Sequence, residues 1–456
     1  MTTNNIEQKH ILEKSFIDIR VAVVGNVDSG KSTIIGVLSG GVLDDGRGLA
    51  RQRVFSHQHE IDNGRTSCVS QQILGFKNNN PIFNKSAVSS TSLQKNKSYA
   101  DVINNSDNII TFIDLAGHEK YIGTTVSGLT SNYPDYSMVI INSLAGITKM
   151  TKEHLGLSII LKIPLFIVVS KIDLVPDKVL KDTKKQISRI LKCKHANKLP
   201  LNIYEPNDIK LAISDTTRRI CPIFFVSSVK GIGLDLLNTY LSHIKPTQKW
   251  KTDEKPIFKI DSKYDVKGIG LIIAGFVHSG SIYEKTTMLL GPMNDKQNRF
   301  IEVNIRSIQT KRIPIKKANT GDNCGISIVP INKKIILNKN SIKKGMVLID
   351  IKSNLKPSFR FEAQVYILHH SSTIRKGYQA FTNCGNIGQT VIIEKINKDC
   401  NTNSDENDIL RTGDSAIINF KFLKNPEVIQ VGEEFVFREG TTKGIATITK
   451  VLYDDI

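Results

Sequence analysis

The sequence predicts an α/β domain followed by two β-barrels. Apolar strand-like runs alternate with helix-patterned runs up to about residue 245, the pattern of a sheet with helices packed against it. From Pro256 onward the chain turns to short β-rich runs separated by turn signals, as barrels require. A third observation fixes the kind of α/β domain: residues 19–24 form a β-rich run, 32–38 read as a helix, and between them lies Gly25-Asn26-Val27-Asp28-Ser29-Gly30-Lys31-Ser32. The expected organisation is a tail at 1–17, the α/β domain at 18–250 with a polar insertion at 77–108, and barrels at 251–352 and 353–456.

The glycine loop is a phosphate cradle. Backbone N–H groups from Gly25 to Thr33 point inward at an anion, and the helix N-terminus adds a favourable dipole. Lys31 then reaches the β- and γ-phosphates of a nucleoside triphosphate. The Ser32 hydroxyl would bind Mg²⁺ directly, and Asp114, at the end of the apolar run 109–113, would hold the ion from a strand tip. Asp114-Leu115-Ala116-Gly117 adds a sensor, because the Gly117 N–H bonds a γ-phosphate and has nothing to hold after hydrolysis.

A second apolar run, 165–169, ends in Ser170-Lys171-Ile172-Asp173, at the strand end where open α/β sheets bind ligands. A carboxylate at Asp173 accepts from the N1–H and 2-amino group of guanine; adenine offers neither. The Lys171 stem lies on the ring face. A further strand run, 223–226, delivers Ser227-Ser228-Val229-Lys230, which matches the Ser-Ala-x-Lys loop that closes over guanine in such proteins. Ser170 stands where most such proteins have Asn, and a shorter serine is expected not to bridge to the phosphate loop, which predicts weaker GDP retention.

Asp114-Leu115-Ala116-Gly117-His118-Glu119 resembles the Asp-x-x-Gly-His signature of translational GTPases such as elongation factor Tu (EF-Tu). His59-Glu60-Ile61-Asp62-Asn63-Gly64-Arg65-Thr66-Ser67, Thr151-Lys152-Glu153-His154-Leu155-Gly156-Leu157 and Phe437-Arg438-Glu439-Gly440-Thr441-Thr442-Lys443 narrow the resemblance to the GTP-binding protein 1 and 2 family. Its members commonly carry a hydroxyl residue at the position of Ser170. The resemblance runs from about Ile19 to the C-terminus and implies the EF-Tu-like three-domain architecture: a GTPase domain, then two barrels that with it cradle aminoacyl-tRNA. The long N-terminal extension of animal members is expected to be lacking.

By the same resemblance, GTP and Mg²⁺ are the ligands, His118 orients the attacking water when the protein docks on a ribosome, and Thr66 joins the Mg²⁺ shell in the GTP state. Arg65 replaces the apolar residue that elongation factor Tu has before that threonine. It is either a solvated arginine or a cation acting on the phosphates in cis. Val27 could form one side of an apolar gate. His57 and His59 have no evident third ligand, so a metal site there is not expected. His369-His370 follows an apolar strand and reads as structural or RNA-facing.

The net charge is +19, from 62 Lys and Arg against 43 Asp and Glu, which favours a polyanionic partner. Lys311-Arg312 and Lys316-Lys317 are candidate contacts; the competing explanation is the Lys, Asn and Ile bias of an AT-rich genome, as in a giant virus or protist. The cysteines form no C-x-x-C pair, and no secretory signal, lipidation motif or membrane-length apolar run is seen, so a reduced, cytoplasmic, monomeric protein without a DNA or membrane partner is expected. Two roles remain open: GTP-dependent delivery of aminoacyl-tRNA to the ribosome, and a GTP-switched RNA-binding module in mRNA surveillance or decay.

Overall fold

The computed structural model describes residues 16–55, 60, 66, 68–85, 92–193, 196–293, 299–370, 372–397, 409–439 and 442–453. Contacts divide the chain into two compact units, the first running to Gln248 except for Thr130–Asn132, which group with the second, from Lys249.

The first unit contains β1 (Ile17–Gly25), α1 (Lys31–Gly40), α2 (Leu49–Gln52), β2 (Ser70–Lys77), β3 (Asn80–Ile82), α3 (Ser92–Asn105), β4 (Asn108–Asp114), α4 (Ile122–Ser131), β5 (Tyr136–Asn142), α5 (Lys149–Ile160), β6 (Leu165–Ser170), α6 (Asp177–Leu191), β7 (Leu199–Asn202), α7 (Pro206–Ser214), β8 (Ile220–Phe225) and α8 (Leu234–His243). The sheet order is β3-β2-β4-β1-β5-β6-β8-β7. β1, β4, β5, β6, β8 and β7 run parallel, and β2 pairs antiparallel with β4. Strands β1 and β6 are buried along nearly their whole length, which is why they read as continuous apolar runs. Their side chains join Ile34, Ile35, Phe112, Met138, Phe224 and Tyr240 in one core. Because β4 and β5 flank β1 on opposite sides, a crevice opens beyond its carboxyl end, and there the chain enters the glycine loop.

The stretch 77–108, expected to be a polar insertion, is folded over much of its length. After the short β3 it forms α3, whose Tyr99, Val102 and Ile103 are buried, with Ser106 just beyond its end. Gly75 in β2 permits the close approach: a Cβ there would meet Ser106 Oγ and lie 2.9 Å from Val102 Cγ1.

The second unit holds β9 (Ile257–Val266), β10 (Gly270–Ser279), β11 (Ser281–Tyr283), β12 (Thr287–Gly291), β13 (Ile301–Thr310), β14 (Ile313–Ile315), β15 (Lys317–Asn319), β16 (Asn323–Pro330) and β17 (Val347–Ile349). The order β12-β17-β9-β10-β16-β13 returns to β12 through a β12–β13 pairing, so these strands close on themselves around Phe258, Ile273, Leu290, Val303, Ile305 and Ile326. The barrel opens with the antiparallel β9–β10 hairpin. A second closed barrel follows, from β18 (Arg360–His369), β19 (Gln379–Cys384), β20 (Ile387–Asn397), β21 (Ser415–Phe422), β22 (Glu434–Glu439) and β23 (Thr442–Leu452). Phe361, Phe420, Phe422, Phe435 and Phe437 fill it. His369 ends β18, and His370 is tied to the barrel through its N–H, which donates to Thr412 Oγ1 at 2.9 Å.

Buried polar groups join the two barrels. Lys259 of β9 pairs with Glu433, each side chain almost fully buried, and Asn386 Nδ2 donates to the Ile260 carbonyl at 2.6 Å. The Cys384 thiol donates to the other Glu433 oxygen at 3.5 Å. The Lys259 ammonium and its hydrogen bond oppose the burial of Glu433, whose pKa lies below the ordinary carboxylate range. No helix among the described residues is long and apolar enough to cross a membrane.

Candidate guanine-nucleotide site

The glycine loop is held from behind. Ser170 Oγ donates to the Ser29 carbonyl at 2.7 Å, while Lys171 Nζ at 3.0 Å and Asn142 Nδ2 at 3.4 Å both donate to the Asp28 carbonyl. Carbonyls anchored outward orient the alternate N–H groups toward the loop centre, as an anion nest requires. Gly25 allows this packing, since a Cβ there would lie 2.5 Å from the Ile140 carbonyl oxygen. The bond from Ser170 corrects the expectation that a serine falls short of the loop. The end of β6 lies close enough for one hydroxyl to span the gap.

Lys31 opens α1 and is buried, and its ammonium donates to the carbonyls of Gly25 at 3.1 Å and Asn26 at 2.8 Å. Burial lowers its pKa, with Asp114 and Asp28 acting in the opposite direction. Gly117 passes so close that a Cβ would collide with Lys31 Nζ and sit 2.6 Å from the Gly25 carbonyl oxygen. Thr33 is half-buried in the first turn of α1, and Asn26 and Val27 are half-buried in the loop, where Asn26 Oδ1 accepts the Val27 N–H at 2.8 Å.

The three predicted Mg²⁺ ligands converge. Ser32 Oγ and Thr66 Oγ1 donate to Asp114 Oδ2 at 2.7 and 3.0 Å and lie 2.8 Å from each other. Among the described residues Asp114 Oδ1, which is buried, has no hydrogen-bond partner, and burial raises the carboxyl pKa against the pull of Lys31. Two hydroxyls and a buried carboxylate with an open oxygen are hard donors suited to Mg²⁺, so the residues fit the ion that the fold implies. Glu60, to which the sequence assigned no role, is also buried here; its carboxylate accepts the Cys68 N–H at 3.1 Å and contributes to raising the Asp114 pKa.

Asp173 is half-buried in a 3₁₀ turn, Ile172–Leu174, entered through Lys171 at a left-handed φ of 58°. The loop after β8 closes on itself: Ser227 is buried, its Oγ accepts the Lys230 N–H at 3.1 Å, and its carbonyl accepts the Gly231 N–H at 2.9 Å. The Ser228 carbonyl accepts the N–H of Asp44 at 3.0 Å. Asp44 was missed in the sequence. Its carboxylate takes the N–H groups of Ala50 and Gly46, and so braces the segment after α1 against the base loop. Asn142 and Ser143 were missed as well, although their position at the polar end of an apolar run is the same signal that marked Ser170; Ser143 Oγ donates to the Lys171 carbonyl at 2.8 Å.

His118 stands apart from this cluster. It is exposed and caps the 3₁₀ turn Glu119–Tyr121, its Nδ1 accepting the Lys120 N–H at 3.1 Å and its ring edge-on to Tyr121 at 6.1 Å. Arg65, His57 and His59 lie outside the described residues.

The sequence profile of the elongation factor Tu GTP-binding domain matches residues 18–246, and that of the elongation factor Tu C-terminal domain matches 354–452. The chain is 43% identical to GTP-binding protein 1 of Xenopus laevis, over 98% of this chain and 65% of that protein, so it spans just under two thirds of that relative. It is 38% identical to GTP-binding protein 2 of Homo sapiens, over 96% of this chain and 70% of that protein. Elongation factor 1-alpha of Methanopyrus kandleri is 26% identical over 90% of this chain and 91% of its own length. Translation elongation factor SelB from Methanococcus maripaludis, solved in complex with the GTP analogue GppNHp, shares the fold with a TM-score of 0.65 at 17% identity, over 96% of this chain and 80% of that one. With an elongation-factor GTP-binding domain ahead of two closed barrels, and a GTP-binding protein 2 relative aligned over most of both lengths, the chain belongs to the translational GTPases, in the group of GTP-binding proteins 1 and 2.

Proposed function

We propose that this protein is a GTPase that binds aminoacyl-tRNA in its GTP state, brings it to the ribosome and hydrolyses GTP there. The observation that carries the switch is the convergence of Ser32, Thr66 and Asp114, which joins a residue upstream of β2 to the phosphate loop and to the tip of β4. Similarity to elongation factor 1-alpha over nearly the whole of both chains supports the cargo.

In this reading the loop amides from Gly25 to Thr33 hold the phosphates, Lys31 leaves its two carbonyls for the β- and γ-oxygens, and the Gly117 N–H registers the γ-phosphate. Bound Mg²⁺ would neutralise charge on those oxygens, held by Ser32 and Asp114, with Thr66 joining in the GTP state. Asp173 selects guanine, Lys171 covers its face, and Ser227 and Ser228 close the loop over it. His118 is the catalytic residue. Exposed at the edge of the site, it must rotate toward the γ-phosphate to orient the water, so the free protein turns over slowly and the ribosome accelerates it. Lys311 and Arg312, which form the β13–β14 turn, would contact RNA phosphates. The protein acts in the cytoplasm as a monomer.

The test is protection of aminoacyl-tRNA from spontaneous deacylation, with GppNHp against GDP. Protection only with GppNHp is expected. No protection in either state, with nucleotide binding intact, would overturn tRNA delivery in favour of a GTP-switched RNA-binding module in mRNA surveillance.

A further inference from the structure

Helix α6 turns a line of cations to solvent. Lys178, Lys181, Lys185, Arg189 and Lys192 are all exposed, and at 3.6 residues per turn they fall within a sector of about 80° along about 21 Å of axis. Thr183, Ile187 and Leu191 on the opposite side are buried. Among the described residues none of the five forms an ion pair, and the acids beside the line are Asp177, in the first turn, and Asp182, at its edge. Helix stability does not account for the arrangement. Arg189 and Lys192 suit the C-terminal end of the dipole, but Lys178 lies in the first turn, where a cation is unfavourable.

A flat ring stands at the flank of this line. Tyr204 stacks on Phe225 with centroids 5.7 Å apart and planes 7° from parallel, yet stays 59% exposed, with the Lys184 ammonium 5.0 Å from its ring centroid. Lys184 of α6 fixes it there, donating to Tyr204 Oη at 2.7 Å with its ammonium 4.3 Å from the Phe225 ring centroid. A rigid, pre-stacked aromatic beside regularly spaced cations combines base stacking with phosphate neutralisation, the pairing that recognises single-stranded nucleic acid. An acidic peptide would use the cations and have no need of the ring.

We propose that α6 and Tyr204 form a binding surface for single-stranded RNA, with phosphates along the five cations and an unpaired base on the outer face of Tyr204. The surface belongs to the α/β unit and is independent of the tRNA-delivery reading.

The experiment measures fluorescence anisotropy of a labelled, unstructured oligouridylate with the 456-residue protein across a salt series. K181E/K185E/R189E should bind about tenfold or more weakly, and the slope of log K against log salt should fall by about two. Y204A should bind about tenfold more weakly while Y204F binds like the unaltered protein. GDP binding, and any protection of aminoacyl-tRNA, should be unchanged in every variant, which separates this surface from the delivery function. Unchanged affinity and salt slope in the charge-reversal variant would overturn the proposal. So would equal losses for Y204A and Y204F, or RNA binding that survives charge reversal while polyglutamate binding is lost, which would assign the face to an acidic protein partner.

Discussion

Ser170 illustrates how a residue can be judged by its length when the backbone decides the matter. The side chain alone suggested too short a reach to the phosphate loop, but the end of β6 brings its hydroxyl to 2.7 Å from the Ser29 carbonyl. Replacing it by alanine removes a buried bond of about 1 kcal/mol, so S170A should release GDP about fivefold faster, measured with a fluorescent GDP analogue. An unchanged rate would mean that Lys171 and Asn142 suffice to hold the loop. His118 makes the complementary case. Its bonds are confined to its own turn and Tyr121, so H118A should leave GTP affinity intact and lower ribosome-stimulated turnover by about a hundredfold or more. Equal stimulated rates would exclude the role. Most of the site was legible because its residues are consecutive in short motifs. Asp44 and Glu60 were not, because single carboxylates in a polar stretch become significant only when folding buries them.

At the scale of the element, α3 shows the limit of composition as a guide. The stretch is rich in Asn, Ser and Lys, and that polarity concealed an apolar face at Tyr99, Val102 and Ile103, the i, i+3, i+4 spacing of a helix stripe. β4 and β6 posed no such difficulty, since strands covered on both faces are apolar throughout. The helix packs where β2 has no side chain, so G75A should push it outward and cost about 1–3 kcal/mol in urea unfolding of the GTPase unit. Retained stability would show that Ser106 and Val102 give way without strain.

For the whole molecule, the change of texture near Pro256 announced barrels, but not the charged groups enclosed between them. His278, half-buried, and, in the α/β unit, the buried His154 have pKa values pushed down to about 4, chiefly by desolvation. Their contribution is full above the ordinary histidine value of 6.5 and is lost as pH falls toward 4. Glu427 acts in the opposite sense. Burial lifts its pKa from 4.5 to about 8, so the neutral acid is the favoured folded form and stability is lost as pH rises through that interval. Glutamine keeps the partnership with Gln389 without the titration. E427Q should therefore melt higher than the unaltered protein by a margin that grows from pH 4.5 to about 8 and is constant above it. A margin independent of pH would exclude Glu427 as the titrating group.

The Lys259–Glu433 pair gives the two barrels an all-or-none character. A slipped or half-formed docking would leave each buried charge without its counterpart, at a cost of several kcal/mol. Partial dockings are thus kept nearly unpopulated, and the pair acts as a proofreading device for assembly, penalising every wrong fit of one barrel on the other more than it rewards the right one.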